Sequence, residues 1–329
     1  MTSAAPPHDR EKKRYQIIAG PECEALAEAI VATDAERFAF HATEWAKFPD
    51  GTDRIVVGGF QPRNLISEEH VLLIASFHNN DVTLSQFQVM VMLLQSFIKS
   101  LTIVLPFYPV GTMERTVHEG EVATAATYAQ LFSSLPSCGR PTRLMVYDLH
   151  TLQNRFYLHG STVASLHSTV PLLLKELRAT TNITTVAFPD DGAAKRFSHY
   201  FTDDRFDVVV CGKVRNGDQR VVTVQDGDPA GKDVIVVDDL VQTGGTLFEC
   251  GTQLRKLGAA SVACFVAHSV FPKEAWRRFL RGADRDVFHT FYTTNSIPTT
   301  TDKLPTDDVF TVLDITPILL RDLDDFVGG

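Results

Sequence analysis

The run Val234-Ile235-Val236-Val237-Asp238-Asp239-Leu240-Val241-Gln242-Thr243-Gly244-Gly245-Thr246 joins an apolar segment, two consecutive acids and a Thr-Gly-Gly-Thr turn. The apolar part reads as a buried strand. Its carboxylates then stand at the C-terminal end, where ligands bind in open α/β sheets. The turn opens a predicted helix. Glycine lets backbone N–H groups approach an anion, the threonines add hydroxyl donors, and a helix N-terminus carries partial positive charge. Such a turn can hold a phosphate without a lysine. The acids suit the vicinal hydroxyls of a sugar, directly or through a metal ion. The bland alternative is a strand end followed by a convenient turn. The strand–turn–helix context favours a sugar-phosphate cradle.

Four further segments place reactive residue types beside predicted strand ends or turns. "VYDLH" offers Asp148 and His150, and "FPDDGAAKRF" offers Asp190, Asp191 and Gly192. "VCGKVRNGDQR" carries Lys213 and Arg215 on alternating positions, and "AKFPDG" sets Phe48 and Asp50 by a turn. Each has a plainer reading. A lone histidine such as His150 is more often a hydrogen-bonded structural residue than a ligand. Lys213 and Arg215 could be solvated loop charges, Phe48 a core aromatic, and Lys195 with Arg196 the wet face of a predicted helix. No G-x-x-x-x-G-K-[ST] motif occurs, which excludes a P-loop nucleotide enzyme at motif level.

The elements that must position these residues alternate. Short β-branched runs ("RIVVGG", "HVLLIASF", "LTIVLPF", "TRLMVYDL") are separated by "TLSQFQVMVMLLQSFIKS" and "EGEVATAATYAQLFSSL", both long enough for helices. Thr83 and Glu121 sit where an N-cap and a first-turn acid belong. The pattern then repeats through "NITTVAFPDD", "GAAKRFSHYF", "FDVVVCG", "KDVIVVDD", "GGTLFECGTQLRKLG" and "ASVACFVAH", with Gly258 as a helix C-cap. The Thr- and Pro-rich stretch between Phe288 and Pro305 reads as a loop before a last strand and a closing helix. This alternation predicts an α/β chain of mainly parallel sheets flanked by helices. Residues 1–15 read as a loose tail, 16–158 as one domain and 159–329 as a second.

The chain has 329 residues and a formal charge of −9. An acidic balance argues against binding nucleic acid or anionic membrane through bulk charge. The five cysteines lack any C-x-x-C pair, against a disulfide framework or zinc site and in favour of a reducing compartment. The longest apolar stretches fall short of a membrane span. The opening residues have no apolar signal core. Cytosol is the expected location.

The Asp238–Thr246 motif resembles the phosphoribosyl-binding signature shared by type I phosphoribosyltransferases and ribose-phosphate diphosphokinases. The order and spacing of the other segments are similar to the diphosphokinases, from about Glu44 onward. "TMER", "PDDGAAKRF", "KVRNGDQR" and "DDLVQTGGTL" match the wording of the plant-type second class. The resemblance implies two similar α/β domains of phosphoribosyltransferase-like fold and a substrate pair of ATP and ribose 5-phosphate. It implies that His150, Asp190 and Asp148 hold Mg²⁺, and that Asp190, Asp191 and Gly192 form a diphosphate loop. Asp238, Asp239, Thr243, Gly244, Gly245 and Thr246 would bind ribose 5-phosphate. Lys213 and Arg215 match a mobile catalytic loop. Phe48, Asp50 and Arg115 would contact the nucleotide, the first two from a neighbouring subunit of a homo-oligomer with shared active sites. Thr112-Met113-Glu114 replaces the first-class basic–amide–acid triplet, and Gln242 stands where that class carries an acid. Looser donor selectivity without phosphate activation is the corresponding expectation. Two alternatives stay open: a non-catalytic, synthetase-associated regulatory protein, and a type I phosphoribosyltransferase. The absence of an insertion between Lys213 and Arg220 weighs against the first, and the second βαβ half against the other.

Overall fold

The computed structural model describes residues 13–110, 113, 116–151, 155, 157–180, 182–216, 219–283 and 286–325, with the backbone alone at 180, 213–216, 219–221 and 325. Its first half runs β1 (Tyr15–Ala19), α1 (Glu24–Thr33), β2 (Phe38–Phe40), a hairpin of β3 (Glu44–Lys47) and β4 (Asp53–Val56), then β5 (His70–Ile74), α2 (Asn80–Leu94), β6 (Ser100–Leu105), α3 (Thr124–Ser133), β7 (Thr142–Tyr147) and β8 (Thr162–His167). The aliphatic runs β5 and β7 are buried along their whole length. That suits strands covered on both faces. The sheet order is β2-β1-β5-β6-β7-β8, every pair parallel.

The first half closes with α4 (Val170–Thr180), and the second half runs β9 (Thr185–Phe188), α5 (Asp191–Phe197), β10 (Asp207–Asn216), β11 (Gln219–Asp226), β12 (Asp233–Val241), α6 (Gly245–Lys256), β13 (Ser261–Ser269), β14 (Phe291–Thr294), α7 (Pro298–Thr301), β15 (Phe310–Leu313) and α8 (Thr316–Asp325). Its order is β11-β10-β9-β12-β13-β14-β15, with only β11 antiparallel to its neighbour. Leaving aside the two hairpins, the halves share one wiring. The chain steps outward by one parallel strand (β1 to β2, β9 to β10), then crosses to the other side (β5, β12). Each sheet therefore has a topological switch point, between β1 and β5 and between β9 and β12.

The closing helix of each half covers the other half's sheet. Val170, Leu173 and Leu177 of α4 pack with Val186, Phe188, Ile235 and Val237. Ile318, Leu319 and Leu323 of α8 pack with Ile17, Leu72 and Met145. Leu173, Leu177 and Leu319 are fully buried, each contributing about 1.5–3 kcal/mol of apolar burial. Arg143 of β7 donates to the Asp322 carbonyl at 2.9 Å, and Arg37 pairs with Asp324. The exchange locks the two halves together and holds the C-terminal edges of both sheets against one central crevice.

Four local expectations differ. Asn79, not Thr83, caps α2, its side chain accepting from the Val82 N–H at 2.9 Å. Glu121 precedes α3 and instead accepts from the N–H groups of Val117 and His118. The division expected between residues 158 and 159 falls ahead of β8. That strand pairs with β7 from Thr142↔Thr162 to Tyr147↔His167, so sheet membership changes after His167. The stretch read as a loop after Phe288 contains β14 and α7. Among the described residues no helix is long and apolar enough to cross a membrane.

Candidate active site

At the switch point of the second sheet, β12 lies beside β9 in register from Val234↔Thr185 to Val236↔Ala187. Past these strand ends opens a cleft of about 870 Å³, whose walls include Asp190–Gly192, Asp238–Thr246, Arg196 and His150. The Thr-Gly-Gly-Thr turn has the form its sequence suggests. Gly244 takes φ +78°, and a Cβ there would stand 2.3 Å from Phe279 Cζ. Both demands select glycine. Arg278 donates to the Thr243 carbonyl at 2.8 Å, bracing the turn from outside the cleft. α6 then begins at Gly245, and its first-turn N–H groups have no intrahelical acceptors. They are placed to bind an anion.

The two acids behave differently. Burial and the neighbouring Asp239 carboxylate push the Asp238 carboxyl well above the ordinary carboxylate range. Burial alone would raise Asp239 too, but His150 and Arg196 hold it below that range. His150 Nδ1 and Arg196 Nη1 both approach Asp239 Oδ2 at 2.7 Å. Since Asp239 is the ionised partner, His150 Nδ1 carries the proton and donates. The two neighbouring carboxyls are thus driven in opposite directions, Asp239 toward the charged form and Asp238 toward the neutral one.

Asp190 caps α5, its Oδ1 accepting from the Ala193 N–H at 3.0 Å, and with Asp191 and Gly192 it forms one rim. All the residues expected at the sugar-phosphate and diphosphate positions are therefore gathered in one cleft. His150 reaches it from the first half, just after β7. Asp148 does not join. Its backbone has φ +39°, it is buried, and its carboxylate accepts from the Ser168 hydroxyl and from the N–H and hydroxyl of Thr169. Both oxygens accept hydrogen bonds that fix the turn between β8 and α4, and Asp148 lines a neighbouring cavity together with His150.

Phe48 and Asp50 line no part of this cleft. They occupy the tip of the β3–β4 hairpin, where Phe48 is half exposed and Asp50 accepts from the Thr52 N–H and hydroxyl. The strand pair next to that turn, Lys47↔Asp53, is tied to α2 by Lys47 with Asp81 at 2.8 Å and by Ser85 with Asp53 at 2.8 Å. Lys213 and Arg215 lie within β10, paired with Val222 and Arg220 of β11, so the expected loop is the end of a hairpin. Their side chains, and all of Arg115, lie outside the described residues.

Among the described residues no three His, Cys, Asp or Glu side chains converge as a preformed metal cage. Mg²⁺ seldom needs one, since it commonly takes one or two carboxylates with substrate phosphates and water. Asp190 at the rim supplies such an oxygen donor. His150, its ring oriented by Asp239, lies in the same cleft. The donor set fits a cation that arrives with a polyphosphate.

Arg196 is the cleft residue that sequence reading missed. A wet-face assignment places it in solvent, whereas its side chain is 14% exposed and ion-paired to Asp239. Helical spacing held a signal. Ala193 and Phe197 are the buried positions of α5, and Arg196 stands three residues after the first and next to the second, at the margin of the apolar face.

The phosphoribosyl transferase domain model matches residues 167–290. Mycobacterium smegmatis phosphoribosylpyrophosphate synthetase shares the fold, with a TM-score of 0.78 over 96% of this chain and 100% of that one at 24% identity. Ribose-phosphate pyrophosphokinase 3, mitochondrial, of Spinacia oleracea is 40% identical over 310 residues, 92% of this chain and 75% of that protein. Relatives carry chloroplastic and mitochondrial names, so the family does not carry with it the cytosolic location expected above. Ribose-phosphate pyrophosphokinase 4 of Oryza sativa subsp. japonica is 40% identical over 313 residues, covering 93% of this chain and 94% of that protein. Identity at this level along nearly the whole of both chains makes this protein a member of the ribose-phosphate pyrophosphokinase family of enzymes.

Proposed function

We propose that the protein transfers the β,γ-diphosphate of ATP to the anomeric hydroxyl of ribose 5-phosphate, giving 5-phosphoribosyl 1-diphosphate and AMP. The observation that carries this reading is the convergence, on one cleft, of the acid pair and glycine turn with Asp190 and His150. The 5-phosphate accepts from the first-turn N–H groups of α6 and from the hydroxyls of Thr243 and Thr246. The ring hydroxyls donate to the Asp238–Asp239 pair. The anomeric oxygen bonds to the β-phosphorus and gives up its proton to solvent as the bond from that phosphorus to the oxygen of the α-phosphate breaks, and AMP departs with that oxygen. Such transfer depends on positioning and charge neutralisation more than on a covalent side chain. Mg²⁺, when bound with the nucleotide at Asp190 and His150, supplies part of that neutralisation.

Lys213 and Arg215, carried by the β10–β11 hairpin, add cations to the transferring group, and Arg215 can bind two oxygens at once. Asp191 and Gly192 complete the diphosphate loop. The exposed Phe48 and Asp50 serve the nucleotide of a neighbouring subunit in a homo-oligomer, and Arg115 is a further nucleotide contact. The test is an assay of purified protein with ATP, ribose 5-phosphate and Mg²⁺. AMP and the phosphoribosyl diphosphate should appear in equal amounts. Lys213→Ala should lower turnover by about a hundredfold or more while ribose 5-phosphate binding is kept. No AMP from the wild type overturns the reading, and equal rates remove Lys213 from it.

A further inference from the structure

We infer that Arg196 is a positioning residue for the sugar site: it holds the Asp239 carboxylate in place and ties the diphosphate-loop helix to the strand end that binds the sugar. This inference rests on the ribose 5-phosphate reading above. α5 starts at the Asp190 rim and ends beside Phe197, whose ring lies 5.3 Å under the Arg196 guanidinium. With its flat face supported in this way, the guanidinium approaches Asp239 from the second half, while His150 approaches from the first. Both contacts fall on Oδ2, at 2.7 Å each. A carboxylate gripped on one oxygen by groups from two elements cannot turn about its last bond. The direction of its other oxygen is therefore set before a sugar arrives.

Two observations separate this role from direct substrate contact and from plain stabilisation. Arg196 Nη1 is sealed from solvent, so the nitrogen that faces Asp239 cannot also reach a ligand in the cleft. Its contact is an ion pair and lacks the alignment of a hydrogen bond, so charge and placement matter more than donor geometry. Asp239 itself is almost fully buried. A carboxylate there without its cation would be strongly disfavoured beside Asp238, and losing one partner of a buried pair is costly where replacing both need not be.

The experiment compares Arg196→Met and Arg196→Lys with wild type in the full-length protein, below the melting temperature of each. Ribose 5-phosphate affinity is measured by calorimetry without nucleotide, and kcat and both KM values by AMP release. Arg196→Met should weaken ribose 5-phosphate binding by about ten- to a hundredfold, equivalent to 1.4–2.7 kcal/mol. Its KM for ATP should stay within about threefold. Arg196→Lys, which keeps the charge but not the planar fork, should recover about half of that loss on a logarithmic scale. A larger change in the ATP constants than in sugar binding would make Arg196 a nucleotide contact and overturn the inference. So would unchanged sugar affinity with only a lower melting temperature, the mark of a structural pair. If Arg196→Met does not fold, Arg196→Lys decides alone: sugar affinity lowered about threefold or more at constant ATP KM supports the role, and no change sinks it. Wild type that binds no ribose 5-phosphate refutes the functional reading itself, a result separate from any variant's.

Discussion

In the first half the crevice between β1 and β5 is stopped by the side chain of Gln86, whereas in the second half the corresponding crevice between β9 and β12 opens into the cleft that holds Asp239. Gln86 projects from α2 and is completely buried. Its Oε1 accepts from the Ser76 N–H at 3.1 Å, and its Nε2 donates to the Ser76 carbonyl at 2.7 Å. The plug reaches across to the end of β1, where a Cβ on Gly20 would meet Gln86 Oε1 at 2.9 Å. The protein's own amide thus satisfies the backbone groups that a ligand would meet in the other half. Two copies of one wiring have been finished in opposite ways. A switch point offers a place for a ligand, but the residues at the strand end decide whether one enters.

The comparison breaks most sharply at Asp239. Asp239→Asn keeps the shape of the side chain and removes the charge facing the sugar hydroxyls, His150 and Arg196. We expect kcat/KM for ribose 5-phosphate to fall about a hundred- to a thousandfold, the scale seen when a charged group aimed at reacting atoms is lost. The melting temperature should fall as well, because Arg196 loses its buried partner. Gln86 should affect stability alone. Gln86→Ala leaves the Ser76 N–H and carbonyl without their partner and opens a void, for about 2–4 kcal/mol of stability. Its steady-state constants at low temperature should match wild type. Urea titrations beside rate measurements decide both. If Gln86→Ala altered the sugar constants as strongly as Asp239→Asn, the two crevices would not be independent, and the contrast between plug and site would fail.

Much of this is legible in the sequence. The acid pair, the glycine turn and the alternation of strands with helices are local patterns, and a local pattern survives folding. Gly244 shows why: its positive φ is a property of the turn itself, whereas its close approach to Phe279 is a tertiary contact. What stayed hidden depended on contacts between distant segments. Arg196 reads as a solvated helix charge until β12 is known to lie beside β9. That the oxygens of Asp148 fix the Ser168–Thr169 turn is equally invisible in the sequence. The boundary near residue 158 misses β8 because a strand with only two buried residues in six carries a weak signal. Nothing in the sequence of α4 or α8 announces that each packs on the other half's sheet.

At the opposite edge of the sheets the two halves carry matching pairs of different chemistry. His70 starts β5 facing Ser100 at the start of β6, and Asp233 starts β12 facing Ser261 at the start of β13. His70 Nδ1 lies 2.6 Å from the Ser100 hydroxyl, and Asp233 Oδ1 accepts from the Ser261 hydroxyl. Burial, reinforced by Lys13, Lys99 and Arg140, pushes the His70 pKa from 6.5 down to about 4. The sign follows from linkage. Below pH 6.5 the unfolded chain gains a proton at His70 that the folded chain refuses, so its contribution to stability is present above 6.5 and is lost as pH falls toward 4. One proton gives a slope of at most about 1.4 kcal/mol per pH unit. His70→Asn, which keeps a polar partner for Ser100, should flatten the fall in unfolding free energy between pH 6.5 and 4.5 by up to that slope. Asp233→Asn, which leaves the His70–Ser100 pair intact, is the matched comparison across the same window. Identical slopes for wild type and His70→Asn would show that the acid sensitivity of the first half lies elsewhere, and that the matching pairs at this edge do not differ in the way their chemistry implies.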